Sequence, residues 1–247
     1  MQLTGKTALV TGASSGIGQA IAVAFARKQA HVLVHYGKNR AGAEATLDEV
    51  EKHSSGSLHQ ADLMRREQIA ALFTEIAKTH RGVDVLVNNA GDAQPGAIDD
   101  DAAWAYGLDN ILLSAVHVSR AFLAMPSTQL RKIVNVTSLY GTLHGGSAQF
   151  LQYSAFKAAL ASVSTTLNKA TAPNVIVNAV APGYTETPAW AGAPKEVMDE
   201  LARTTAIGRF VTADEVAHAV VFIVENDGLV GQVLTLDGGT SLKVLPV

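Results

Sequence analysis

Short apolar runs, set apart by longer amphipathic stretches, give this chain its rhythm. "TALV" (7–10), "HVLVHY" (31–36), "SLHQ" (57–60), "VDVLVN" (83–88), "KIVNVTS" (132–138), "VIVNAV" (175–180) and "QVLTLD" (232–237) read as strands. They are short and rich in valine, leucine and isoleucine, as strands buried on both faces should be. Between most of them lie stretches long enough for helices, at 17–29, 41–53, 66–80, 101–125, 152–171 and 213–225. Alternation of this kind predicts an α/β fold, a parallel sheet with helices on both faces. Right-handed crossovers make it a doubly wound (Rossmann) sheet of about seven strands, in one domain spanning the chain.

The least regular piece is 182–212, which holds Pro182, Pro188 and Pro194, three of the chain's seven prolines. It leaves the carboxyl end of a predicted strand, where open α/β sheets bind ligands. We read it as a substrate lid with a short helix inside; the plain alternative is a surface excursion. No Pro/Ser-rich linker, repeat or low-complexity segment divides the 247 residues.

Composition narrows the function. Hydrophobic residues make up 48% of the chain, enough for a substantial core, and charged residues only 17%. Net charge is −3, with no long basic run, so neither nucleic acid nor an anionic membrane is the expected partner. The absence of cysteine excludes disulfides, thiolate catalysis and cysteine metal sites. The amino terminus lacks a signal-peptide pattern and no apolar run is long enough to span a membrane, so a cytoplasmic protein is expected. The eight histidines show no metal-ligand spacing, and no catalytic metal is expected.

Two local patterns carry chemistry. The first is "TALVTGASSGIGQAIAVAFA", a strand, a glycine-rich turn and a helix. Gly12 suits the tight turn, Gly16 lets backbone approach a pyrophosphate, and Gly18 lets the helix pack close to the sheet. The helix amino end offers free N–H groups and a positive dipole to phosphate. The second is "QYSAFKAAL", which puts Tyr153 and Lys157 on one helix face. Alone, that pair is as well explained as ordinary helix surface.

The glycine spacing of "TGASSGIG" resembles the short-chain dehydrogenase/reductase family, and the resemblance runs on in family order. "NNAG" (88–91) follows the fourth predicted strand, "DN" (109–110) lies mid-helix, and "NVTS" ends the fifth strand at Ser138. Tyr153 and Lys157 follow, then "APGYTET" (181–187) and "LDGG" (236–239). The resemblance implies hydride transfer between a nicotinamide and a carbonyl or secondary alcohol. Tyr153 is then the proton donor or acceptor, and Lys157 lowers its pKa and bonds the nicotinamide ribose. Ser138 holds the substrate oxygen, and Asn110 supports a water relay behind Lys157.

For the cofactor, Ser14, Ser15 and Ile17 join the three glycines, and Asn89, Ala90 and Gly91 line the cleft. Asp62 and Leu63 fit the family's adenine contact, Asp62 being equally suited to cap the next helix. Pro182, Gly183, Thr185 and Thr187 approach from the lid, Thr187 toward the carboxamide or phosphate. Tyr36 stands where NAD-preferring relatives have aspartate, and Lys38, Asn39 and Arg40 follow. A missing acid and nearby cations favour NADP(H). Ser14 and Ser15, where many NADP enzymes carry a basic residue, leave NAD(H) open.

Two features depart from the family. The step from Ser138 to Tyr153 is longer than usual, so the loop between them carries a small insertion. Asp92 follows "NNAG" where an apolar residue is common; it suits a polar substrate and loop capping equally well. Candidate substrate contacts are Asp92, Gln94, Leu139, Tyr140, His144, Gln149, Tyr184 and Trp190. A modest polar carbonyl compound, a sugar-like alcohol or a 3-oxoacyl thioester is admissible. "GRFVTADEVAHAVVFIV" resembles bacterial 3-oxoacyl-carrier-protein reductases, and Arg203 and Arg209 could meet a carrier protein. A homo-oligomer, a tetramer, is expected through the helices at 101–125 and 152–171 and the apolar end "SLKVLPV". The reading from another class is a non-catalytic NADP(H)-sensing regulator on the same fold, which the intact Ser138, Tyr153 and Lys157 oppose.

Overall fold

The computed structural model describes residues 1–142 and 146–242. A seven-stranded sheet runs through its centre, all strands parallel. In chain order the first six strands are β1 (Thr7–Val10), β2 (His31–Tyr36), β3 (Gly56–Gln60), β4 (Val85–Asn88), β5 (Arg131–Val136) and β6 (Val175–Pro182). Short strands β7 (Thr185–Glu186) and β8 (Val211–Thr212) pair apart from the sheet, and β9 (Val233–Leu236) closes it. The spatial order is β3-β2-β1-β4-β5-β6-β9. The direction of winding reverses between β1 and β4, so a crevice opens at their carboxyl ends.

Helices α1 (Gly16–Arg27), α2 (Arg40–Glu51) and α3 (Arg66–Thr79) follow the first three strands. The predicted helix 101–125 is instead three pieces: α4 (Asp101–Gly107), a π-helical turn (Leu108–Leu113) and α5 (Ser114–Ala124). Apolar periodicity cannot distinguish the two arrangements, because a single π turn shifts the face without interrupting it. Beyond β5 come α6 (Leu151–Thr166), α7 (Asn168–Thr171), α8 (Lys195–Arg203) and α9 (Ala213–Glu225).

The strand pattern explains the layering. Alternate strand residues face opposite sides, so Val10, Val34, Val87, Val134 and Val180 meet Ile21, Phe25, Val220 and Val224 of α1 and α9. Leu9, Leu33, Leu86 and Ile133 meet Ile69, Phe73, Ile76, Val118 and Phe122 of α3 and α5. Each fully buried side chain of this kind stabilises the fold by roughly 1.5–3 kcal/mol relative to exposure. Two filled cores leave the sheet rigid, and its carboxyl edge holds loops in fixed relation. The excursion at 182–212 contains the expected short helix, α8, and its two ends are tied together by the β7–β8 pair.

Candidate active site

The loop after β1 is built for close approach. Gly12 and Gly16 have φ of +62° and +55°, where a side chain is strained. A Cβ on Gly18 would lie 2.3 Å from the Gly12 carbonyl oxygen, so α1 can start there only with glycine. Asn89 holds the turn from the neighbouring strand end, its side-chain amide donating to the carbonyls of Thr11 (2.9 Å) and Gly12 (3.1 Å). The Thr11 hydroxyl accepts from the backbone N–H of Asn89 and of Ala90. From α2, Thr46 donates to the Ala13 carbonyl at 2.9 Å.

His35 completes this frame. It is 2% exposed; its Nδ1 accepts the Gly12 N–H at 3.2 Å and its Nε2 lies 3.1 Å from the Ala61 carbonyl. With Nδ1 accepting, Nε2 must carry the proton, so the ring is the neutral tautomer. Burial pushes its pKa down to about 4. The spacing of the histidines carries no signal for this one, which ties the glycine loop to the end of β3. The buried alternation of β2 conceals it, since nothing local separates His35 from its apolar neighbours.

The crevice encloses about 890 Å³. Its walls bring together Gly12, Ser14, Ser15, Gly16, Ile17, Lys38, Asn39, Asp62, Leu63, Asn89, Ala90, Gly91 and Thr187, all expected at the cofactor. Asp92 and Asn110 share its far end. Tyr36 lies buried beneath rather than in the wall, and the Arg40 guanidinium pairs with Glu44 at 2.8 Å on the outer face of α2. Asn39 caps α2, accepting from the Gly42 N–H. Asp62 accepts from the Met64 N–H in a turn ahead of α3 instead of capping that helix. Pro182, Gly183 and Thr185 form the root of the lid: Gly183 packs on Asp237, and Thr185 bonds back to the Gly183 carbonyl. Thr187 lies over the loop, where a Cβ on Gly16 would approach it to 3.3 Å. These features fit a dinucleotide: a side-chain-free cradle, a helix amino terminus and a cleft long enough to continue to Asn110.

Strand β5 delivers Ser138 and helix α6 delivers Tyr153 and Lys157 to the same edge. Burial pushes the Tyr153 phenol's pKa up; the neighbouring Ser138 hydroxyl partly offsets this, and the Asp92 charge adds to the rise. Lys157 is 4% exposed, donates to the Val136 carbonyl at 2.7 Å and sits 5.6 Å from the centre of the Tyr153 ring. Burial lowers its pKa to about 8. The Tyr153 pKa is therefore raised by burial and not lowered as expected from Lys157. Two ammonium protons remain for further partners.

Asn110 lies in the π turn. Its side chain donates to Asp92, and its carbonyl accepts from Ser114 at 2.6 Å. Asp92 is not a loop cap: its carboxylate takes Tyr106 at 2.8 Å, Asn110 and Gln94 at 2.7 Å. Tyr140, Tyr184 and Trp190 form an aromatic wall with Phe210, the two tyrosine hydroxyls 3.4 Å apart. Gln149 is exposed and contributes its backbone carbonyl to the Gly96 N–H, so the lengthened loop is fastened to the segment after Asp92. His144 lies outside the described residues. Among the described residues, no group of three or more His, Asp or Glu is arranged around a metal position, and no helix is long and apolar enough to cross a membrane.

A family model described as enoyl-(acyl carrier protein) reductase matches residues 12–241. The chain belongs to the short-chain dehydrogenase/reductase family. This short-chain dehydrogenase/reductase is 36% identical to cis-4-hydroxycyclohexanecarboxylate dehydrogenase of Sinomonas cyclohexanicum over 95% of its own length and 96% of the relative's. It is 32% identical to 3-oxoacyl-acyl-carrier-protein reductase of Thermotoga maritima, covering 97% and 99%. Its backbone superposes on L-sorbose reductase from Gluconobacter frateurii, solved with NADPH and L-sorbose, with a TM-score of 0.90 at 26% identity. That match covers 99% of this chain and 100% of the other. The angucycline ketoreductase LanV with bound NADP also gives 0.90, at 27% identity over 98% and 97%. The family's oxidoreductase chemistry therefore frames the geometry above.

Proposed function

We propose that this oxidoreductase is an NADP(H)-dependent carbonyl reductase and alcohol dehydrogenase that works through Ser138, Tyr153 and Lys157. The observation that carries the reading is the grouping of those three side chains near Asp92, which lines one end of a glycine-cradled cleft. A nicotinamide held in the cleft would supply or accept the hydride. Ser138 donates to the substrate oxygen and holds it against Tyr153. As the carbonyl carbon gains hydride, Tyr153 passes its proton to that oxygen, leaving a phenolate beside the Lys157 ammonium. Oxidation runs the same proton path in reverse. A phenol whose pKa is raised stays protonated at neutral pH, which suits it to donate.

Asn110 acts from behind. Its π turn places a carbonyl and an amide between Asp92 and Ser114, and we assign it support of the Lys157 relay. Lys38 at the cleft wall and the lack of an acid at Tyr36 support NADP(H); the relatives solved with NADP and NADPH point the same way. Cis-4-hydroxycyclohexanecarboxylate and L-sorbose differ widely in shape, so the substrate must be read from this chain's own pocket.

The test is oxidation of NADPH, followed by absorbance, across a panel of ketones and aldehydes. Tyr153→Phe should lower kcat by about 10²–10⁴-fold while NADPH still quenches protein fluorescence. Full activity in that variant would refute the proton-transfer role. A kcat/KM that favours NADH over NADPH would refute the cofactor assignment.

A further inference from the structure

The Asp92 carboxylate lines the end of the cleft beside Tyr106 and Asn110, and its chemistry names what it receives. Oδ1 accepts from Tyr106 and Asn110, and Oδ2 accepts from Gln94. All three donors are neutral, and among the described residues no Lys, Arg or His forms an ion pair with Asp92. A carboxylate oxygen can take two donors, so Oδ2 keeps one place open. Gln94 beside it keeps a second amide proton and its own oxygen.

We propose that Asp92 and Gln94 form a hydroxyl-binding subsite, so that this enzyme prefers carbonyl substrates with a free hydroxyl next to the reacting carbon. A hydroxyl can donate to Asp92 Oδ2 while accepting from the Gln94 amide. An ammonium could donate to the Asp92 and Gln94 oxygens but would leave the Gln94 amide proton without an acceptor, and a substrate carboxylate would be repelled. The inference rests on the reductase reading above and extends it to the substrate.

The subsite is held at fixed distance from the proton donor. Gln152, 1% exposed and next to Tyr153, donates to the Gln94 carbonyl at 2.6 Å. The Gly96 N–H bonds to the Gln149 carbonyl at 3.1 Å. A Cβ on Gly96 would lie 2.5 Å from Ala103 and 2.9 Å from the Gln152 amide, so the segment lies flush on the first turn of α6. The Asp92 charge adds to the burial that raises the Tyr153 pKa.

Hydroxyacetone and butanone test this, because they differ only by a hydroxyl in place of a methyl; pyruvate supplies the anionic analogue. With NADPH saturating, kcat/KM for hydroxyacetone should exceed that for butanone by about tenfold or more, a charged hydrogen bond being worth that factor. Pyruvate should be the poorest of the three. Asp92→Leu should reduce the hydroxyacetone-to-butanone ratio toward one, and Gln94→Leu should reduce it in part. Equal kcat/KM for the two ketones in the wild-type protein overturns the proposal, whether or not the variants fold. An unchanged ratio in Asp92→Leu also overturns it, as does a raised KM for NADPH with the ratio intact, which would assign Asp92 to the cofactor. Reduction of no carbonyl by the wild-type protein refutes the reductase reading itself.

Discussion

Acidification should loosen the glycine loop through one side chain, His35. In the folded protein its pKa is about 4, against an ordinary value of 6.5. The unfolded chain therefore takes up the proton first, and folding stability falls as pH drops below about 6.5. The full contribution is present above that pH and gone below about 4. The difference between the two values corresponds to about 3 kcal/mol, of which about 2 kcal/mol is lost by pH 5. The structural cause is specific: a protonated Nδ1 cannot accept the Gly12 N–H, and the charge would sit in the core of the sheet edge. The assay is urea unfolding at pH 7.5 and pH 5, comparing the wild type with His35→Asn, which retains an acceptor near Gly12. His31, His59 and His117 also have lowered pKa values and are present in both proteins. The difference between the two proteins therefore isolates His35: the wild type should lose about 2 kcal/mol more. Equal losses would refute the reasoning. So would an imidazole proton resonance of folded His35 that titrates near pH 6.5, a readout that does not depend on the variant.

Two further outcomes follow from the same framework. Gly18→Ala forces a methyl to within 2.3 Å of the Gly12 carbonyl oxygen, so it should cost about 1–3 kcal/mol by thermal unfolding and weaken NADPH binding; a wild-type melting temperature would count against the packing described. Exposed Phe222 and Leu242, and the small outward residues Ala155, Ala158 and Ser162 on α6, favour self-association, so sedimentation at micromolar concentration should give a dimer or tetramer, and a monomer alone would refute this.

The framework of the fold was legible because its signals are local. Buried parallel strands are apolar runs, and the glycine loop is a contiguous string whose residues act on one another. Each predicted strand is present within a residue or two of its expected ends. What was hidden depends on packing between distant segments. The π turn around Asn110 has the same apolar spacing as an α-helix. Arg40 sits beside Lys38 in sequence, yet the first turn of α2 rotates it outward to Glu44 while Lys38 faces the cleft. His35 of β2 and Thr46 of α2 brace the glycine loop from two other elements, and no motif spacing announces them.

The lengthened loop before Tyr153 shows how such hidden contacts bear on chemistry. Its extra length lets Phe150 bridge to Gly96 and lets the Gln149 carbonyl take the Gly96 N–H. With Gln152 bonded to the Gln94 carbonyl, the segment after "NNAG" is thereby fastened to the first turn of the helix that carries Tyr153 and Lys157. Gln152, immediately before Tyr153, is buried and acts as a strut. A substitution there should disturb both Tyr153 and Asp92, because one side chain sets the distance between them. The two departures from the family pattern, an insertion and an aspartate, are therefore coupled: the first fixes the position from which the second can act.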